Sequence, residues 1–265
     1  MLRKLLAPIK LGIQELIAIK FTLVIFVFVG ALSLIVYYFL WHSIYTFSGA
    51  DVIRGFTFTQ LMSYYVLTSF AGMYFFTDMD GRISRDIQRG LLPLDLIRPA
   101  SLLRLRAGNE FGTNLFVLAV QAAPIFIIGI VFFGLHPANS LALVLSAISF
   151  AVAMFLCLFF VFLFGLSSFW LTRYNGVRYF RNALSWFLGG GVFPLAFLPQ
   201  AWQNVLSYLP FQQFIYTPIQ IFIGKYSAMA SVQMIGVQLV WLVVFYGMIK
   251  LIWPVAMSKF SVAGG

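Results

Sequence analysis

LALVLSAISFAVAMFLCLFFVFLFGLSSFWLT, residues 141–172, contains no acid, no base and no histidine. A helix needs roughly 20 residues at about 1.5 Å each to cross about 30 Å of hydrocarbon. This run is long enough for a bilayer and too apolar for a water-facing surface. The same test along the rest of the chain selects five more windows: Phe21–Trp41, Phe56–Phe76, Phe111–Gly134, a Pro-interrupted stretch after Arg181, and Ala228–Trp253. Composition agrees, since 62% of the 265 residues are hydrophobic, 18% are aromatic and 9% are charged, with a mean hydropathy of +0.97. So little polar surface excludes an ordinary soluble globule. The expected fold is all-α and polytopic, a single transmembrane domain over residues 1–265 with six transmembrane helices. No repeat at 20 to 50 residues argues for a solenoid. The first window is too long and too far along the chain for a signal peptide and lacks a small-residue cleavage site, so it should stay in the mature protein.

Basic residues set the expected orientation, because cytoplasmic flanks keep positive charge that translocated loops lack. With the N-terminus inside, only Arg54 and Lys225 of the seventeen Lys and Arg fall outside. Both termini are then cytoplasmic. The net charge of +10 is explained by topology and contact with anionic membrane lipid, so no nucleic acid partner is expected. Within residues 1–20, Leu2, Leu5, Leu6, Ile9, Ile13, Leu16 and Ile17 recur at helical spacing opposite Arg3, Lys4, Lys10, Gln14 and Glu15. That pattern predicts an amphipathic interfacial helix, serving as an anchor or passing motion to the first span, with Pro8 as a kink or a first-turn residue.

Between the second and third windows, residues 77–110 carry six Arg and the acids Asp78, Asp80, Asp86, Asp95 and Glu110. Asp78 or Asp80 can cap a helix in which Arg82, Arg85, Asp86 and Arg89 are spaced for i,i+3 and i,i+4 pairing, with Ile83 and Ile87 on one stripe and Gly90 as the stop. Pro93 and Pro99 should then hold Leu92 and Arg98 extended, as a stiff strap. A lipid tether needs only basic residues and slack. The balanced signs and the helix–Gly–Pro order point to a protein partner instead, although the positive-inside bias alone accounts for the arginines.

Toward the C-terminus, Gly189, Gly190, Gly191 and Pro194 break the apolar pattern, and Pro199, Pro210 and Pro218 follow. Trp202, Val205, Leu206 and Leu209, then Phe214, Ile215 and Ile219, recur at helical spacing, which predicts two short re-entrant helices on the exterior side. Broken backbone at membrane depth is tolerated where protein buries it or a cavity needs it. Residues 191–227 are therefore an expected exterior gate, built on Phe193, Pro194, Pro199, Trp202, Pro210 and Phe211. Interfacial anchoring by Trp202, Tyr208, Tyr216 and Tyr226 explains the same residues.

Two runs carry a family resemblance: FTDMDGRISRDIQRGLLPLDLIRPASL, residues 76–102, and GVFPLAFLPQAWQNVLSYLPFQQFIYTPIQIFIGK, residues 191–225. The first resembles the cytoplasmic loop of type-2 ATP-binding-cassette export permeases, in the branch with an Ile-Ser-Arg-Asp-Ile helix and a Leu-Ile-Arg-Pro strap. The second is similar to that family's exterior region between the last two spans. The resemblance implies a bacterial inner-membrane permease that pairs with a second copy or paralogue and docks two ATPase subunits. ATP and Mg would be bound by those subunits, with no cofactor in this chain. It also implies that Asp80, Arg82, Ile83, Arg85, Asp86, Ile87 and Arg89 form an ATPase-coupling helix, followed by Gly90, Arg98 and Pro99. The short basic loop Arg173–Arg181 is a second candidate contact with the same partner.

Other chemistry is poorly supported. Gly224-Lys225 lacks the upstream Gly and the following Ser or Thr of a phosphate loop, and Ser227 is out of register. His42 and His136 stand alone, so no metal and no catalytic residue is assigned. The single Cys157 reads as a small buried hydrophobe. The spans hold no mid-depth ionisable residue of the kind that ion-driven carriers use, which favours an external energy source. Gln60, Gln121, Gln233 and Gln238 either face a path or bond helices together. An amphipathic or hydrophobic cargo fits the apolar spans. The rivals are an ATPase-independent carrier or lipid scramblase, an intramembrane enzyme for which Asp51, Asp78 and His42 are too scattered, and a non-transporting scaffold.

Overall fold

Runs of Leu, Phe, Ile and Val in lipid leave the backbone no partner but itself, and the chain is nearly all α-helical. The structure, a computed structural model, describes residues 20–96, 101–117, 123–171 and 173–259. In chain order the elements are α1 Lys20–Ser48, β1 Val52–Ile53, β2 Phe56–Thr57, α2 Phe58–Phe75, α3 Met79–Gln88, α4 Leu92–Leu96, α5 Leu102–Val117, α6 Ala123–Phe133 and α7 Ser140–Leu166. There follow α8 Asn175–Leu188, α9 Gln200–Tyr208, α10 Pro210–Phe214, α11 Tyr216–Phe222 and α12 Ala228–Lys259, with 3-10 turns at Ser167–Phe169 and Leu195–Phe197. The expected interfacial helix, Arg98, Pro99 and Gln121 lie outside the described residues.

Among the described residues, three helices are long and apolar enough to cross a membrane: Val27–Ser48, Ser140–Phe169 and Ala228–Lys259. Half of the α7 window is buried, against 6% for α1 and 17% for α12. That ranking places α7 at the centre, where it packs against α12, α11, α3 and α10. Small residues permit the approach. A Cβ on Gly165 would stand 2.9 Å from Ile83 Cδ1 and 3.2 Å from Asp80 Cα, so α3 rests directly on the α7 backbone.

Several boundaries differ from those expected. Within the window Phe111–Gly134 the described residues are helical as α5 and α6, and α5 begins at Leu102, because Arg104, Arg106 and Glu110 are good helix formers whose charge does not stop a helix beside the polar loop. α1 runs past Trp41 to Ser48. α12 runs through Pro254 to Lys259, since one missing i→i−4 bond near its end does not halt an established helix. An unexpected hairpin precedes α2. Val52 pairs with Thr57 and Ile53 with Phe56 around Arg54 and Gly55, both at positive φ, as a two-residue primed turn demands. Thr57 then opens α2 with a capping box, its Oγ1 accepting from Gln60 N while Gln60 Oε1 accepts from Thr57 N.

Candidate functional site

The loop acids and arginines assemble one polar junction where α3, α5 and α8 meet α7. α3 ends as expected: Gly90 has φ +66°, its N–H bonds to Ile87 O at 3.1 Å, and Leu91 N–H bonds to Asp86 O at 2.8 Å. This is a Schellman closure. The N-terminal expectation holds less well, because Asp78 occupies the N-cap position without a side-chain capping bond.

Beyond the i,i+3 and i,i+4 spacing within α3, ion pairs tie the helix to its neighbours. Arg82 pairs with Glu110, and Arg106 with both Asp86 and Asp95. Asp78 takes Arg85 at 2.6 Å and also Arg178. Thr77 Oγ1 donates to Glu110 Oε2 at 2.5 Å and accepts from Met79 N–H. For Glu110 and Asp95 the physical reason is burial: both sit against the bundle, where an arginine held on another helix satisfies the carboxylate. Most of these pairs remain partly exposed and are worth roughly 0–1 kcal/mol each.

One pair is different. The side chains of Asp80 and Arg181 are both 0% exposed, with Arg181 Nε 3.0 Å from Asp80 Oδ2. Tyr174 donates its hydroxyl to Asp80 Oδ2 at 2.7 Å, and Gly81 N–H donates to Oδ1 at 2.9 Å. Arg181 is poorly served in return, since none of its three side-chain nitrogens makes an aligned hydrogen bond. Burial pushes the Asp80 carboxyl above the usual carboxylate range, against the opposing pull of Arg181, Tyr174 and the Gly81 amide. Burial likewise raises the Tyr174 phenol, helped by the carboxylate beside it.

The structure therefore divides the sequence-derived site. Asp80 and Ile83 are buried anchors; Arg82, Arg85, Asp86 and Ile87 are half-buried; Arg89 and Gly90 are exposed. Beyond them Pro93 stands in the first turn of α4, so Leu92 begins a short helix instead of an extended strap. Leu91 and Leu94 project from this tip, 43% and 56% exposed, beside Arg89. Sequence reasoning missed both leucines, and it took Arg178 and Arg181 for markers of topology and partner contact. In the fold these two belong to α8 and face inward as counter-ions of α3. Their spacing of three, with Tyr174 four residues before Arg178, was the available signal of an inward-facing stripe.

At the other end, the broken segment comprises three short helices where two were expected, because Ile215, with φ −128° and ψ −57°, separates α10 from α11. Its carbonyls are met by side chains. Tyr64 OH donates to Gly190 O and Tyr74 OH to Phe214 O, both at 2.5 Å, while Gln238 Nε2 donates to Gln213 O and Trp241 Nε1 to Tyr208 O, both at 2.9 Å. Pro194 and Pro210 are buried, Phe193 and Phe211 half-buried, and Pro199 and Trp202 exposed, so these six do not converge on one surface. Gln238 bonds helices, also accepting from Ser149 Oγ at 2.9 Å. Gln60 caps α2 and receives Lys225 Nζ at 2.8 Å. Cys157 is buried against Tyr74 and Phe75 carbonyls.

Against known families, residues 16–264 match the family described as ABC-2 family transporter protein. The chain belongs to the ABC-2 transporter family. Comparison with curated proteins and with solved structures returned no match. An ABC-2 transporter with these apolar helices is a multi-pass membrane protein, and its family works as the permease component of transporters that use ATPase partners.

Proposed function

We propose that this ABC-2 transporter chain is the permease subunit of an ATP-driven exporter in a bacterial inner membrane, moving an amphipathic or hydrophobic substrate. α2, the α5–α6 pair and α8 with its re-entrant continuation supply three further crossings beside α1, α7 and α12, with both termini cytoplasmic. A second copy or paralogue completes the path, and the long apolar face of α1, including Phe28, Phe39 and Phe47, is available to it. Two ATPase subunits bind ATP and Mg and grip the tip formed by Arg89, Gly90, Leu91 and Leu94. The family resemblance adds Arg98 and Pro99 to the coupling residues.

The observation that carries the proposal is the division of α3: an exposed apolar-and-basic tip at one end, and a buried carboxylate locked to α8 at the other. A push on the tip displaces Asp80, and through Arg181 it displaces α8, whose C-terminal end leads into Gly189–Gly191 and the exterior segment. ATPase closure thus biases two states of the bundle, and hydrolysis resets them. Pro194, Pro199, Trp202, Pro210, Phe193 and Phe211 form the exterior gate in this scheme.

The test is Arg89→Glu combined with Leu91→Ser, read by export, by stimulation of the partner ATPase and by membrane insertion. Loss of the first two with normal insertion is expected. Unchanged export would overturn the docking role, and cargo movement by the purified chain in liposomes without nucleotide would favour an ATPase-independent carrier or scramblase.

A further inference from the structure

A second feature lies apart from the α3 junction. Helices α2, α5, α6, α7 and α11 enclose a cavity of about 390 Å³ whose exposed wall is entirely apolar. Phe70 forms one side, in edge-to-face contact with Phe126 at 5.3 Å and Phe150 at 5.1 Å. Phe111 stacked on Phe155 at 5.6 Å forms another. Leu67, Tyr74 and Met154 are buried and shut its floor, whereas Leu115, Leu143 and Phe155 are exposed, so the cavity opens on the outer surface of the bundle.

A polar cavity of this size would take ordered water, but an apolar one does not hold it. In a bilayer the surrounding solvent is hydrocarbon, and an acyl chain enters such a groove without stripping any polar group. The wall also has a charged continuation. Phe111 and Leu115 lie on a stripe of α5 that runs back through Gly108 to Arg104, the steps being four, three and four residues. Arg104 is thus about 10.5 Å along the helix from Phe111, at the polar end of the groove. Among the described residues no carboxylate pairs with it, unlike Arg82, Arg85, Arg106, Arg178 and Arg181; its Nε donates to Ser101 Oγ at 3.2 Å, and the side chain is exposed. An uncommitted guanidinium beyond an apolar groove is complementary to a phosphate attached to a hydrocarbon chain.

We propose that this groove binds one acyl chain of an anionic phospholipid, with the lipid phosphate on Arg104. The site is separate from the coupling tip and needs neither nucleotide nor ATPase.

The experiment uses the full chain in nanodiscs with phosphatidylglycerol or phosphatidylcholine carrying the same diazirine-labelled acyl chain, followed by peptide mapping of the crosslinks. Labelling by phosphatidylglycerol should concentrate on Phe111, Leu115 and residues 147–155, and exceed labelling by phosphatidylcholine there. Ala151→Trp, which fills the groove, should lower that labelling about tenfold and leave labelling of α1 unchanged. Arg104→Gln should bring phosphatidylglycerol down to the phosphatidylcholine level. If the Trp variant fails to fold, Ala147→Phe fills the same space, and the wild-type map stands alone. Labels spread evenly over α1 and α12, or groove labelling unaffected by filling, would overturn the site. Equal labelling by the two lipids would overturn the role of Arg104.

Discussion

Replacing Asp80 by Asn tests the buried pair most sharply. Both side chains are 0% exposed, so the substitution strands a guanidinium that cannot shed its proton, and breaking one side of such a pair costs about 3–5 kcal/mol. Arg181→Met strands the carboxylate instead, which keeps Tyr174 and the Gly81 amide as donors. Asp80 already has a raised pKa, and loss of Arg181 raises it further, so it escapes the penalty by taking a proton at about 1.4 kcal/mol per pH unit. Arg181→Met should therefore cost less than Asp80→Asn. The double variant should recover most of the loss, because Arg181 gives up no aligned hydrogen bond when it is removed. The sign of the pH dependence follows. A carboxyl whose folded pKa lies above its unfolded value binds more protons folded than unfolded between the two, so stability falls as pH rises through that window and levels off above it. In Arg181→Met the window reaches higher pH than in the parent. Thermal unfolding in detergent, across pH 5 to 8 and over all four members of the cycle, reads this directly. Additive losses, or Asp80→Asn milder than Arg181→Met, would refute the buried-pair argument.

Gly190 sits at φ +84°, and a Cβ there would stand 2.6 Å from Tyr64 Oη, so Gly190→Ala should destabilise by about 1–3 kcal/mol and abolish export, measured by unfolding and transport together. Tyr74→Phe removes the donor to Phe214 O inside the bundle and should cost about 1–3 kcal/mol of unfolding free energy. Thr57→Val removes the α2 cap, worth about 1 kcal/mol, and should speed hydrogen exchange at the Gln60 amide. Arg85 and Asp86 replaced together by Ala should uncouple ATPase stimulation and stop export with near-normal insertion, as both side chains leave their partners Asp78 and Arg106.

The helices were legible because apolar period and length carry most of the information in a bilayer, and Gly90 was legible because only a left-handed residue closes α3. The pairing of Asp80 with Arg181 was not. Ion pairs between residues a hundred positions apart depend on which helix faces meet, and positive-inside bias offers a sufficient local reason for the arginines of both loops. The same ambiguity hid the exposed tip: Leu91, Leu92 and Leu94 look alike in sequence, and packing alone decides that Leu92 is buried while its neighbours project. Around residues 189–223 the prolines predicted broken helix correctly, but the donors that make the breaks tolerable are two tyrosines, a glutamine and a tryptophan on other elements.

Those borrowed donors impose an order on biogenesis. Tyr64 and Tyr74 leave the ribosome well before the carbonyls of Gly190 and Phe214 that they serve, so that half of the broken segment can settle as soon as it emerges. Gln213 and Tyr208 must wait for Gln238 and Trp241 on the last helix to be synthesised. Until that helix is delivered to the bilayer, those two carbonyls lack the side-chain donors of the finished fold, and a chain truncated just before Gln238 should leave the broken segment open to protease.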